Sequence, residues 1–275
     1  MEERTSVKLK STVETKEFGK VYLPAILNMK KIGFCIVALA LLSSCASLLF
    51  NTLLSPKVEE IKLVNRSTMD EVVFIPMVHI SHKSFYKDVA RKVDSLNNLG
   101  YSFIYESVSS NLKDSIQKDL VWRKFRKVMG FQPSYVLGNE RVDTVNRLIM
   151  DKFPYPAEVD LMSQPSYAAL NIDTSKSICG DVSLEIIIAA FEQKNGEITL
   201  SECDMETGFE GDYNCLKGDK KEFVQNFIMG YRDSILVENF LALRQSQVAI
   251  IYGARHFKGF YKRLKDYDSN WKKTK

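Results

Sequence analysis

The sequence predicts an α/β fold: a single domain with a central, mostly parallel sheet, flanking helices and a helical middle segment. Three observations predict it. Short apolar runs recur at Val72–Ile75, Tyr101–Tyr105 and Val248–Tyr252. A stretch with helical periodicity separates the first two, and a strand–helix–strand unit favours a parallel pair. Residues 46–275 are long enough for one domain with a sizeable core.

The elements follow in order. A first short strand is expected at Ile61–Val64, after a tether, so that residues 46–66 carry tether and strand and 67–275 the domain proper. Val72–Ile75 is stopped by Pro76 and reads as a buried strand. From about Ser84, Phe85, Val89, Val93 and Leu96 recur at helical spacing, and Gly100 closes that helix. Tyr101–Tyr105 is the next strand and ends at Glu106. Helices are expected at Ser115–Met129, Glu140–Lys152 and Val182–Gln193, and a long one at Lys221–Gln245. Val248–Tyr252 is a further buried strand, followed by a basic amphipathic helix.

The start of the chain carries an export pattern. Lys30 and Lys31 precede the uncharged run Ile32–Leu42, which ends in small residues. The ending Leu42-Ser43-Ser44-Cys45 resembles the bacterial lipobox, which implies a signal peptide over residues 29–45 and lipidation of Cys45. The expectation is an exported lipoprotein anchored to a membrane, on a periplasmic or outer-membrane face. An uncleaved anchor is the competing reading, because Ile32–Phe50 approaches the length of a membrane span. Residues 1–28 precede a start-like Met29 and read as a gene-model extension or a cytoplasmic tail.

Charge excludes a nucleic-acid partner. Of 38 Lys/Arg and 34 Asp/Glu, residues 1–45 hold 7 and 4, which leaves 31 and 30 beyond them. No basic excess remains of the kind a nucleic-acid surface needs. Cys203 and Cys215 flank an acid- and glycine-rich stretch that a disulfide could close, and Cys179 would stay unpaired. No CxxC pair occurs, which argues against a thiol redox site or zinc ribbon.

The chain has three histidines, His79, His82 and His256. His79 and His256 each stand four residues past an apolar strand, and Glu106 closes the strand between them. Ligands of open α/β sheets bind beyond the carboxyl ends of strands. Imidazoles and a carboxylate there can activate water or share a metal. The alternative is that these histidines are ordinary polar loop residues.

Four segments carry a family resemblance: FIPMVHISHKSFY, YSFIYESVSS, YRDSILVENF and VAIIYGARHFKGF. In order and spacing they resemble the TraB/PrgY/GumN family, which includes the TIKI-like proteins and is related to the erythromycin esterase and ChaN proteins. His79, Glu106, Arg232 and His256 occupy the family's positions, and Pro156–Asp160 is similar to its central acidic element. Pro76, Glu158 and Asp233 depart from the family pattern.

The resemblance implies an exported hydrolase, metalloprotease- or esterase-like, acting on a peptide or small molecule. Glu106 is the expected general base. His79 and His256, with Glu106, would hold a divalent ion such as Mn, Co or Zn, or one histidine would act as base without metal. Arg232 would clamp a carboxylate or stabilise an oxyanion, or else pair with Asp233 or Glu238 on its helix. His82 is a third ligand or a solvated residue, and Asp160 orients a histidine or caps a helix. A ChaN-like haem or iron-ligand binder and a degenerate peptide-binding member are the alternatives.

Overall fold

The computed structural model describes residues 55–131, 134–137, 140–143, 160–209 and 212–274. The export pattern with Cys45, and residues 156–159 of the central acidic element, lie outside them.

Strand β1 (Ile61–Asn65) turns back into β2 (Glu71–Met77). A short β3 (Ile80–His82) leads into helix α1 (Lys83–Asn98), then β4 (Ser102–Tyr105) and α2 (Ser115–Met129). The hairpin β5 (Ser134–Leu137) and β6 (Glu140–Asp143) comes after it, then β7 (Leu161–Ser163). Next come β8 (Ile178–Cys179), α3 (Leu184–Asn195) and α4 (Glu202–Glu206). A single turn, α5 (Lys220–Glu222), runs into a π-helical stretch at Phe223–Tyr231 and then α6 (Arg232–Leu243). Strand β9 (Gln247–Gly253), a 3-10 turn at Ala254–His256, α7 (Phe257–Tyr267) and β10 (Trp271–Lys273) end the chain.

The six-stranded sheet has the order β10-β1-β2-β9-β4-β8. The pairs β2–β9, β9–β4 and β4–β8 are parallel, whereas β1 pairs antiparallel with β2 and β10. The fold is thus a single α/β domain with a mostly parallel sheet. Period-two alternation sorts its side chains. Val73, Ile75, Ala249 and Ile251 face α1, where Phe85, Val89 and Val93 cover them. Val72, Phe74, Val248 and Ile250 face the other way, against Leu236 and Phe240 of α6 and Phe260 and Leu264 of α7. Each of the buried Val, Leu, Ile and Phe side chains stabilises the fold by about 1.5–3 kcal/mol. A separate cluster, with Phe125, Ile187, Phe191, Phe223 and Phe227, joins α2, α3 and the π-helical stretch. Among the described residues, no helix is long and apolar enough to cross a membrane.

Three expectations need correction. Pro76 does not stop its strand: β2 runs through it to Met77, with Pro76 level with Tyr252 of β9, at a point where the pairing with β1 has already ended at Phe74. Residues 140–143 are strand, not helix: the register Leu137↔Glu140 leaves Gly138-Asn139 between the strands, a pair suited to a two-residue hairpin loop. Residues 144–152 lie outside the described residues. The long helix over 221–245 is not uniform, because Phe223–Tyr231 is π-helical before α6 begins. Such an insertion rotates the following helix face and often marks a functional site.

Cys203 and Cys215 are joined in a disulfide, and Cys179 is free. The closed loop is docked by α2. Arg126, 1% exposed, donates to the carbonyls of Asp204, Thr207 and Gly208, and its guanidinium lies over Phe209 and Tyr213. Lys127 pairs with Asp204 at 2.5 Å. Replacing both cysteines by serine is expected to lower stability by about 3 kcal/mol for a loop of this length, read as a Tm shift under matched conditions. Burial raises the Asp204 pKa, but hydrogen bonds from Lys127, Tyr213 and Ser201 outweigh it and hold the carboxyl far below its ordinary 3.8. Its stabilising contribution is therefore present above pH 3.8 and is lost as pH falls through the lower folded value. Acid unfolding curves of wild type and Lys127→Met should converge as pH drops; parallel curves would contradict this.

Candidate active site

The carboxyl ends of β2, β9, β4 and β8 lie side by side. Met77 is level with Gly253, Tyr105 with Ile251, and Tyr105 with Cys179. The next residues of the chain therefore emerge on one rim: His79, Glu106, Asp181 and the turn leading to His256.

Glu106 is fixed at both carboxylate oxygens. Oε2 accepts the Gly253 backbone N–H at 2.6 Å, and Oε1 accepts Nη2 of Arg232 at 2.5 Å. Its backbone is held too: the N–H donates to Ile251, and the carbonyl accepts the Tyr167 hydroxyl at 2.5 Å. Tyr167 packs against Tyr105 with ring centroids 5.0 Å apart. The Glu106 side chain is 25% exposed, against 5% for Arg232, so it is the face that this cluster shows to solvent.

Arg232 begins α6 and points under the rim. Asp181, with a fully buried side chain, accepts its Nε at 2.8 Å and its Nη2 at 2.6 Å. Such a two-point fork is the strongest ion-pair geometry that arginine makes. The Tyr252 hydroxyl takes a further contact from Nη2 at 3.2 Å. Burial works against the charge, but Asp181, Tyr252 and Glu106 outweigh it and raise the Arg232 pKa well above ordinary. Close packing makes this possible. A Cβ on Gly180 would stand 2.4 Å from Ile104 and 2.9 Å from Leu236, so only glycine lets α6 come this near β4.

His256 is buried at 4% exposure. Its Nδ1 lies 2.7 Å from Asp233 Oδ1, and its Nε2 lies 3.4 Å from Nη1 of Arg232. The guanidinium can only donate, so a neutral ring that accepts from it at Nε2 carries its proton on Nδ1, facing Asp233. Nε2 is 4.0 Å from Glu106 Oε1. The ring also meets Tyr252 edge-on, with centroids 4.9 Å apart. Asp233 is seated by Gly259 of α7, where a Cβ would fall 1.7 Å from Oδ2. Gly259→Ala must therefore push Asp233 away from His256. We expect a loss of about 1–3 kcal/mol and a weakened His256 Nδ1 proton signal by NMR; an unchanged signal would contradict this seating.

The structure brings together three of the four central residues expected from sequence, Glu106, Arg232 and His256. His79 stands on the same rim with its side chain exposed, and its carbonyl accepts from Gln164. Arg232 pairs with neither Asp233 nor Glu238 but with Asp181 and Glu106, so it clamps the protein's own carboxylates. The Asp160 backbone carbonyl accepts from Lys83, next to the β3–β7 ladder, and its side chain is exposed. His82 is the half-buried N-cap residue of α1, without a side-chain capping bond. Sequence reasoning missed Asp181, Tyr252 and the role of Asp233. The one available signal for Asp181 was a Gly-Asp pair directly after the apolar dipeptide Ile178-Cys179.

The donor set does not fit a divalent ion held between Glu106 and His256. A guanidinium already lies 2.5 Å from the carboxylate and 3.4 Å from the ring nitrogen. It is itself the cation of the pair, and a second one would face its full charge in a buried setting. Among the described residues, no group of three or more His, Cys, Asp or Glu side chains is arranged to hold a metal.

In comparison with known proteins, no family model, no curated protein and no solved structure matches this chain.

Proposed function

We propose that the chain is an exported, lipid-anchored hydrolase that uses a Glu–His–Arg site without a metal at the Glu106–His256 pair. The observation that carries this reading is the Glu106 carboxylate. It is locked by Arg232 and the Gly253 N–H, partly open to solvent, and 4.0 Å from a histidine whose far nitrogen is held by Asp233. Glu106 accepts a proton from an attacking water, and the locked carboxylate sets the direction of attack. The Asp233–His256 pair provides a second acceptor behind it, in a fixed tautomer. His79, exposed on the same rim, is assigned to donate a proton to the leaving group. Arg232 acts through Glu106 and His256 as a positioning residue, because its side chain is 5% exposed and already committed to Asp181.

The reaction class comes from these parts: water attack on an acyl carbon, as in ester, lactone or peptide hydrolysis. The test is incubation of the full chain with a panel of aryl esters, lactones and acylated peptides in ¹⁸O-labelled water. We expect one labelled oxygen in the released acid for at least one class. No turnover of any panel member by folded protein would count against the reading. His79→Asn should then reduce turnover while leaving the melting temperature unchanged, since the side chain is exposed. The iron-ligand alternative draws no support from His256, because both of its ring nitrogens are engaged.

A further inference from the structure

We propose that the rim bearing the candidate site faces the membrane surface, so that the site serves acyl bonds presented by molecules in the lipid headgroup layer. This rests on the lipid-anchor reading of Cys45. The chain enters the fold beside that rim. β1 runs antiparallel to β2, with Ile61 opposite Phe74, so the residues before Ile61 run toward the carboxyl end of β2. Val58 completes that path. It is buried in the cluster with Met77 and Phe85, and its N–H donates to Asp88 of α1 at 3.2 Å. Ser55, Pro56 and Lys57 are exposed beyond it. The chain therefore leaves the fold at the level of Met77 and Gly253, on the rim that carries Glu106 and His256 and not at the opposite end of the sheet.

Chain length then limits how far the rim can be from lipid. Cys45 and Ser55 are ten residues apart in sequence, a reach of at most about 36 Å. The β1-to-β4 spacing, three strands across, is about 14 Å. The exit point therefore lies within that reach of the anchor, and the site extends about 14 Å further along the same rim. Charge on the rim suits an anionic surface. Lys57, Lys83, Arg255 and Lys258 are exposed and without an ion-pair partner among the described residues. The exposed acids of the same stretches are Glu59 and Asp160, together with Glu60, which is paired with Lys92. Juxtamembrane cations of this kind draw a surface toward anionic headgroups, and salt weakens that attraction.

The experiment uses the full, lipidated chain in vesicles of phosphatidylethanolamine and phosphatidylglycerol that carry a headgroup acceptor dye. A donor is attached through an encoded azido-amino acid, either at position 255 on the rim or at position 99. Leu99 is exposed and lies at the far end of α1, about 24 Å away along that helix. We expect energy transfer from position 255 to exceed that from position 99 by roughly threefold, a margin set by that separation. The margin should shrink at high salt while the protein stays vesicle-bound. Equal transfer from both positions, or more from 99, on bound protein would overturn the orientation and leave the anchor reading intact. If the wild-type chain fails to associate with vesicles, or Cys45→Ser associates equally well, the anchor reading fails and the proposal with it.

Discussion

Glu106→Gln is expected to cut turnover about 10²–10⁴-fold, the range that a positioned general base contributes. The substitution keeps size and shape but removes the proton-accepting oxygen. It also creates a local conflict. Both Glu106 oxygens accept hydrogen bonds, from Arg232 and from the Gly253 N–H. A glutamine offers one acceptor and one donor group, so one of those N–H groups is left facing another donor. We expect a stability loss of about 1–3 kcal/mol, with the fold retained because Asp181 still holds Arg232. Turnover and thermal melting must therefore be measured together. A variant that melts a few degrees lower yet keeps full turnover would remove Glu106 from the chemistry.

Arg232→Met is expected to be the most destabilising single change in the cluster, at about 3–5 kcal/mol. It strands Asp181, a fully buried carboxylate whose fork partner is Arg232, and it leaves Glu106 without its cation. The asymmetry supplies the control. Replacing both charged partners by apolar side chains costs far less than removing one, so Arg232→Met with Asp181→Leu should be more stable than Arg232→Met alone. Urea unfolding of the two single variants and the double variant measures this coupling. If Arg232→Met lies within about 1 kcal/mol of wild type, the buried pair is not what holds the rim together.

The long-strand parts of this architecture were legible because short continuous apolar runs and their breaks are local signals. Val72–Ile75 and Val248–Tyr252 announce strands, and the polar residues just beyond their carboxyl ends mark the rim. Glu106 and His256 could be found for that reason. Asp181 could not, because β8 is only two residues long and gives no periodicity to read. Its meaning arises from a partner 51 residues away, brought near by the packing of α6 on β4 through Gly180. Asp233 was read as a neighbour of Arg232 in sequence. On the helix, adjacent residues point about 100° apart, so Asp233 turns to His256 and Arg232 turns to Asp181. The π-helical stretch just before them alters that phase, and a 3.6-residue period in the sequence does not reveal it.

Calorimetric titration of the folded full chain with Mn²⁺, Co²⁺ and Zn²⁺, repeated on His256→Ala and paired with turnover in chelator, goes most directly to the claim that Arg232, not a metal, is the cation between Glu106 and His256. We expect no tight, stoichiometric binding that depends on His256, and turnover undiminished by chelator. Stoichiometric binding that His256→Ala abolishes, with activity lost in chelator and restored by one of the ions, would contradict it.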